Sequence, residues 1–145
     1  MHFVKFFATF AFLLGGAALA HQGVSNPVVK ARMEVMGQIK DATSVIGNMA
    51  KGSIAFDSEK AGAAKSILLK TAKDIPLKFE THETDPKSEA LPEIWQRWDD
   101  FVAMSDDMVK VVETIDVSNA QTLKASMGAL GQSCGRCHKA YRLKK

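Results

Sequence analysis

The residues with the clearest chemistry form one short run near the C-terminus, Cys134-Gly135-Arg136-Cys137-His138. Two cysteines three positions apart, with a histidine directly after the second, form the attachment pattern of c-type haem. On a helix, positions i and i+3 share one face, so both thiols can form thioether bonds with the two vinyl groups along one edge of a haem. The adjacent imidazole can then serve as the proximal axial ligand of the iron.

Other uses of the two thiols need features that this chain lacks. Cys134 and Cys137 are its only cysteines, so a four-ligand zinc site or a disulfide framework would require further partners. A thioredoxin-like dithiol normally follows a strand, and no alternating strand pattern precedes this motif. We therefore predict one covalent haem c per chain, and we keep a haem-free dithiol switch as an alternative.

The N-terminus predicts export. Residues 1–20 contain one positive charge at Lys5, an apolar run from Phe6 to Leu14, and the cleavage-site pattern Ala18-Leu19-Ala20. The apolar run is short for a membrane span, although an N-terminal anchor is the alternative interpretation. We predict a cleaved signal peptide over residues 1–20, a mature domain over residues 21–145 without a membrane anchor, and a periplasmic location.

Composition limits the other function classes. The 145 residues suit one domain, and 46% of them are hydrophobic. Removal of Lys5 with the leader leaves 18 basic against 16 acidic residues, a net charge of +2 that is too mild to indicate a nucleic-acid partner. No constellation of catalytic acid, base and nucleophile is visible, so we do not predict an enzyme.

Helical periodicity and end signals predict two helices in the first half of the mature chain. The first begins with Asn26 as N-cap and Pro27 at the first helical position, and it stops at Gly52. The second begins after Asp57 and closes at Pro76, because proline cannot continue the hydrogen-bond ladder. Apolar and small residues recur along both helices at steps of three and four: Val29, Met33, Met36, Ile39, Ile46, Met49, Ala61, Ala64, Leu68, Thr71 and Ile75.

A polar connection over residues 77–91 leads to two more helices, and we expect its His82 to be solvated rather than a ligand. A third helix is predicted to begin at Pro92-Glu93 and to carry one continuous seam as far as Ile115. A capping box of Ser118 and Gln121 predicts the start of the fourth helix. The apolar seams of these two helices step by fours and threes: Ile94, Trp98, Phe101, Ser105, Met108, Val112, Ile115, and Leu123, Met127, Leu130, Cys134, Cys137, Tyr141.

These four amphipathic helices predict an all-α fold, an antiparallel four-helix bundle with the haem between facing helices. Both cysteines fall on the buried seam of the fourth helix. Three poor helix formers on the same helix, Gly128, Gly131 and Gly135, are expected to let the flat macrocycle approach the backbone closely.

The first helix supplies the remaining candidates for haem contacts. Arg32 interrupts its apolar seam, either as an arginine that extends to solvent at the rim or as the partner of a haem propionate. Met36 lies one turn further along the same face, where its thioether could be the sixth ligand of the iron or could fill the core. Met33 lies about a hundred degrees around the helix from Arg32 and is the weaker candidate.

Three segments of the chain resemble the cytochrome c′ family, the class II c-type cytochromes. They are the C-terminal CxxCH motif in 134–142, the early run 32–36 (RMEVM) and the run 91–95 (LPEIW), and the resemblance extends over essentially the whole mature chain. It implies a four-helix bundle with covalent haem c, His138 as proximal ligand, Arg32 near a propionate and Met36 over the distal face. Arg142 resembles the arginine on the proximal side, and otherwise it is an exposed cation at a helix end.

The resemblance leaves two functions open, electron transfer and the binding of a small gas molecule. Relatives with low-spin haem, named cytochrome c-556, bind a methionine of the first helix to the iron and transfer electrons. High-spin cytochromes c′ leave the iron five-coordinate and bind nitric oxide or carbon monoxide, and some of them carry an unbound methionine at the same position. We predict a low-spin one-electron carrier that exchanges electrons with periplasmic redox proteins, as a monomer or a homodimer, with the gas-binding protein as the alternative.

Overall fold

The computed structural model describes residues 23–144, and within this range the predicted bundle is confirmed. The helices are α1 (Pro27–Ala50), α2 (Ser58–Phe79), α3 (Glu93–Gln96), α4 (Trp98–Glu113) and α5 (Ala120–Tyr141). One isolated bridge between residues 90 and 142 is the only strand-like pairing in this range. No helix among the described residues is both long and apolar enough to span a membrane. The predicted signal peptide lies outside the described residues.

The local signals at the ends of α1 and at the start of α2 are confirmed. The Asn26 side chain accepts hydrogen bonds from the backbone N–H groups of Val28 and Val29, at 2.9 and 3.1 Å. The Asp57 side chain does the same for the N–H of Lys60 at 3.0 Å. Gly52 follows α1 with a φ of +74°, a left-handed conformation that stops the helix and that favours glycine.

The prediction that Pro76 closes the second helix is wrong, because α2 continues through Pro76 to Phe79. Proline has no N–H to donate to the carbonyl four residues earlier, which here belongs to Ala72. That carbonyl instead accepts a hydrogen bond from the buried Ser105 hydroxyl of α4 at 3.0 Å. A side chain of another helix therefore satisfies the carbonyl that the proline leaves without a donor, and the helix does not end.

The prediction of one unbroken third helix is also wrong. Arg97, with φ of −128° and ψ of 51°, separates the single turn of α3 from α4. On one side of the break, the Trp95 indole donates a hydrogen bond to the Phe79 carbonyl at the end of α2, at 2.7 Å. The Arg97 guanidinium lies over the Tyr141 ring, 4.9 Å from its centroid. Contacts with distant parts of the chain thus accompany a break that the heptad spacing did not indicate.

The fourth predicted helix begins one residue later than expected. Asn119, rather than Ser118, is the N-cap of α5, and its side chain accepts from the N–H groups of Gln121 and Thr122 at 2.9 and 3.0 Å. Thr122, rather than Gln121, completes the capping box by accepting from the Asn119 N–H. Ser118 instead donates its hydroxyl proton to the Asp116 carboxylate at 2.5 Å.

The long helices form a four-membered ring in cross-section. α1 packs on α2 and α5, and α4 packs on the same two helices, so that α1 and α4 are diagonal partners. The half of the bundle that contains the C-terminal part of α1 and the N-terminal part of α5 is tightly packed. Its central side chains are at most 2% exposed: Ile46, Met49, Ala61, Leu68, Val112, Ile115 and Leu123.

Candidate functional site

The haem-attachment motif lies in the last two turns of α5, at the opposite end of the bundle from this packed half. Cys134 and Cys137 are half-buried and pack against the apolar core, as their seam positions predict. His138 follows them with an accessible side chain that lines the cavities described next. The three residues are therefore on one side of α5, facing α1.

Two adjoining cavities separate α1 from α5 at this end, with volumes of about 120 and 540 Å³. Five residues line both of them: Met33 and Met36 from α1, with Cys137, His138 and Arg142 from the other side. Cys134, Ser133, Met104 and Met108 line only the larger cavity. The structure thus brings Met36 of the first helix and the CxxCH motif to the walls of one site.

The site fits a haem in size and in chemistry. Its larger cavity is within the range of roughly 300–1,000 Å³ that is usual for small-molecule and cofactor sites. Thr43 lines that cavity, and its hydroxyl is buried without a hydrogen-bond partner among the described residues. Among the residues that the structure describes, no group of three or more His, Cys, Asp and Glu side chains could hold a metal ion by itself.

The electrostatics of the motif disfavour the dithiol alternative. Burial raises the pKa of the Cys134 thiol, and burial together with the neighbouring Cys134 and Asp100 raises the pKa of Cys137 to about 11. Reactive thiols have a lowered pKa, because the thiolate is the nucleophile. Partial burial, followed by the nearby Arg142, lowers the pKa of His138, which favours the neutral imidazole, the form that coordinates a metal.

Arg32 is buried, at 3% exposure, and it does not extend to solvent. Its three guanidinium nitrogens each donate to a backbone carbonyl, namely Lys78 at 3.1 Å, Glu83 at 2.8 Å and Thr81. The guanidinium also lies over the Trp95 ring, 4.9 Å from its centroid. Burial lowers the pKa of Arg32, and the Glu83 carboxylate opposes that shift. Arg32 therefore fastens the end of α2 and the following connection to α1.

The connection between α2 and α3, residues 80–92, is more than the polar link that the sequence indicated. Its Asp85 carboxylate accepts from the N–H groups of Lys87, Ser25 and Asn26, which lowers the pKa of Asp85 to about 2. His82, expected to be only solvated, stacks on the Trp95 ring with a centroid distance of 4.1 Å. The connection is therefore fixed to the start of α1 and to α3.

The same connection forms a wall of the smaller cavity. Ser88, Glu89 and Ala90 line it, and the Glu89 carboxylate pairs with the Arg142 guanidinium at 2.7 Å, one turn after His138. Sequence patterns contain no signal for this pair, because its members lie 53 residues apart, one in a loop and one at a helix end.

The expectation for the three α5 glycines stays a prediction. Gly128, Gly131 and Gly135 are exposed, and a Cβ added at any of them would meet no atom within 4 Å. Gly131 and Gly135 precede His138 by seven and three residues, so they lie on the same side of α5 as this cavity-lining histidine, and the packing of the chain itself does not require them.

Comparisons with known proteins agree with this geometry. A family model described as Cytochrome C' matches residues 27–142. Cytochrome c-556 of Agrobacterium tumefaciens (strain apple 185) is 34% identical over 119 residues, which cover 79% of this chain and 94% of that protein. Cytochrome c-554 of Cereibacter sphaeroides is 35% identical over 111 residues, covering 68% of this chain and 80% of that one.

Two solved structures from Rhodopseudomonas palustris have the same fold. Its oxidised cytochrome c556 is 29% identical with a TM-score of 0.75, covering 82% of this chain and 98% of that one. Its cytochrome c′ is 25% identical with a TM-score of 0.76, covering 83% and 98%. The helical bundle, the matched family and the cavity beside the CxxCH motif agree. The chain belongs to the cytochrome c′ family, as an electron-carrying c-type cytochrome with covalent haem c.

Proposed function

We propose that Cys134 and Cys137 form the two thioether bonds to haem c, that His138 is the proximal ligand, and that Met36 is the distal ligand. One observation carries this assignment: Met36 of α1 and the Cys137-His138 pair of α5 line the same two cavities from different helices. An axial pair of histidine and methionine requires side chains from two sides of one site.

In this proposal the protein is a low-spin one-electron carrier. The haem supplies a one-electron couple whose reduction potential depends on its axial ligands and on burial. The chain holds the two ligands on packed helices, and the apolar walls of the site keep water away from it. A fixed thioether at the sixth position requires little rearrangement between oxidation states and closes the position that an external gas would use.

The second candidate is a five-coordinate protein that binds nitric oxide or carbon monoxide. It is favoured by the fold itself, which matches cytochrome c′ and cytochrome c556 of R. palustris with nearly equal TM-scores. In that case Met36 would only fill the wall of the cavity beside Met33, Met104 and Met108.

We also propose that Arg32 lies near a haem propionate, as the sequence predicted. It lines the smaller cavity, and a guanidinium has five N–H donors, of which three are used by carbonyls. A propionate at the edge of this cavity could accept from the others. The fastening of the connection described above does not depend on such a contact.

We also propose that the mature protein, residues 21–145, works in the periplasm with redox proteins as partners, in agreement with the leader pattern of residues 1–20 and with haem attachment after export. No enzymatic reaction is proposed, since the cavity walls are apolar apart from the motif, Arg32, Arg142 and a few hydroxyl and charged groups at its edges.

Two measurements on the exported holoprotein test the proposal. Acid–acetone extraction should leave the haem on the wild type, and a Cys134→Ala, Cys137→Ala variant should lose covalent haem. The absorption spectrum of the reduced protein should show sharp low-spin bands that carbon monoxide changes only slowly. Broad high-spin bands would favour the gas-binding candidate, and a protein without a Soret band would favour the dithiol switch.

A further inference from the structure

Charge is unevenly distributed along the chain, and the haem-bearing helix is the basic part. From Ala120 to the C-terminal Lys145 the sequence has six basic residues and no Asp or Glu. Eleven of the 16 acidic residues instead fall between Glu80 and Asp116. A surface of one sign concentrated beside a redox centre can steer a partner of the opposite sign toward it.

The solvent-exposed side of α5, called its outer face here, carries this charge on its side chains. Its members are Gln121, Lys124, Ala125, Gly128, Ala129, Gly131, Gln132, Gly135, Arg136 and Lys139. Arg136 makes a loose pair with Asp107 at 3.7 Å and remains 61% exposed. The side chains of Lys124 and Lys139 make no hydrogen bond or ion pair with any other described residue. The two lysines are therefore available to an external carboxylate.

The outer face is also flat where it is nearest to the attachment site. Gly135 and Arg136 stand between the two cysteines, and Gly131 lies one turn before Gly135. Glycine lowers helix stability relative to alanine, and a Cβ at Gly128, Gly131 or Gly135 would meet open space, so internal packing does not explain their presence. Another molecule on this face could come close to the α5 backbone, within about one helix diameter, 10 Å, of the haem attachment.

We propose that the outer face of α5 is the docking surface for an acidic patch of a redox partner protein. The proposal rests on the electron-carrier function above and adds to it the position and charge of the partner. The lysines give attraction and orientation, and the glycines allow a short distance between the two redox centres.

A membrane surface is a poorer occupant for this face. Helices that lie on anionic bilayers combine Lys and Arg with Trp, Phe or Leu side chains that enter the acyl region. The outer face of α5 presents alanine, glycine and glutamine between its cations instead. Carboxylates of a protein are therefore the better complement.

The test uses the mature holoprotein on gold electrodes coated with a carboxylate-terminated alkanethiol, which serves as a defined acidic surface. We expect a Lys124→Glu, Lys139→Glu variant to exchange electrons about tenfold more slowly than the wild type at low salt, and the difference should shrink as salt is added. The matched control is Lys73→Glu, because Lys73 is exposed on α2, which makes no packing contact with α5. That variant should keep the wild-type rate.

A second pair of variants tests the flat surface. Gly131→Gln should slow electron exchange at the carboxylate surface, whereas Gly62→Gln on α2, where an added Cβ also meets open space, should not. Equal losses in Lys73→Glu and the α5 double variant, or equal rates in all variants, would overturn the proposal. So would lysine-dependent binding to phosphatidylglycerol vesicles with unchanged electrode rates.

The reduced spectrum of each variant separates this test from that of the function. A low-spin spectrum with an unaltered electrode rate in the α5 variants contradicts only the docking surface. A high-spin wild type contradicts the electron-carrier proposal itself.

Discussion

The two halves of the bundle are built from the same helices but differ in how they are filled. Around Ile46, Leu68, Val112 and Leu123 the side chains are essentially inaccessible to solvent. Around Met36, Met104 and His138 the same four helices leave two cavities between them. The packed half can stabilise itself by burying its own apolar surface, whereas the cavity half needs a cofactor to complete its core.

This difference explains why one continuous heptad-like seam serves two purposes. In the packed half most of the large seam side chains are branched aliphatic residues, which interlock. In the cavity half the seam also holds methionine, serine and cysteine, whose side chains line a cofactor site rather than fill the space completely. The same four helices therefore form a self-packed core at one end of the bundle and the haem site at the other end.

The largest expected effect comes from preventing haem attachment. In a Cys134→Ala, Cys137→Ala variant we expect a clearly lower unfolding midpoint, because a cofactor bound only by the native state adds to its stability. Amide hydrogen exchange should accelerate in 27–40 and 130–142 and change little around Ile46 and Leu123. Uniform loss of protection in both halves would show that they unfold as one unit, and an unchanged midpoint would show that the bundle packs without haem.

A substitution in the packed half should reduce stability without affecting the haem. Leu68 is fully buried, so Leu68→Ala should lower the free energy of unfolding by about 2–5 kcal/mol through lost burial and the cavity left behind. Chemical denaturation of the holoprotein measures this loss. The absorption spectrum should stay that of the wild type. A spectral change would contradict the separation of the two halves.

Removing the Arg32 guanidinium should release the connection that closes the smaller cavity. Arg32→Met leaves three partly buried carbonyl groups without this donor, and we expect a loss of about 3 kcal/mol in the free energy of unfolding, at roughly 1 kcal/mol for each. Limited proteolysis should cut within 80–92 more readily. Arg97→Met is the control, since the Arg97 side chain is 51% exposed. Equal stability of the two variants would refute the role given to Arg32.

The smallest effect concerns Pro76 inside α2. Ser105→Ala should cost about 1 kcal/mol, because the Ala72 carbonyl then loses its remaining donor. In a Pro76→Ala background the backbone N–H returns to that carbonyl, and the same serine substitution should cost less. A double-mutant cycle by chemical denaturation measures the difference, and strictly additive losses would contradict the coupling.

The features that could be predicted from the sequence are those determined within a few residues. The caps at Asn26 and Asp57, the stop at Gly52 and the seam positions follow from local hydrogen bonding and helical spacing, and the CxxCH spacing indicates haem by itself. Pro76 and Arg32 could not be interpreted in this way, because their partners, Ser105 and the carbonyls after residue 77, are distant in sequence. The role of the α5 glycines stays a prediction, because spacing places a residue on a helix face but does not reveal what lies opposite.

The central claim is that Met36 of α1 completes the coordination opposite His138, and the absorption spectrum of a Met36→Leu holoprotein tests it most directly. This swap nearly preserves volume and typically costs less than about 1.5 kcal/mol in a core, so a spectral change would report lost coordination rather than lost folding. Met33→Leu and Met104→Leu are matched controls, because both methionines line the larger cavity beside Met36. We predict that only Met36→Leu becomes high spin and binds carbon monoxide faster than the wild type. A wild type that is already high spin, or a Met36→Leu spectrum identical to that of the controls, would contradict the account.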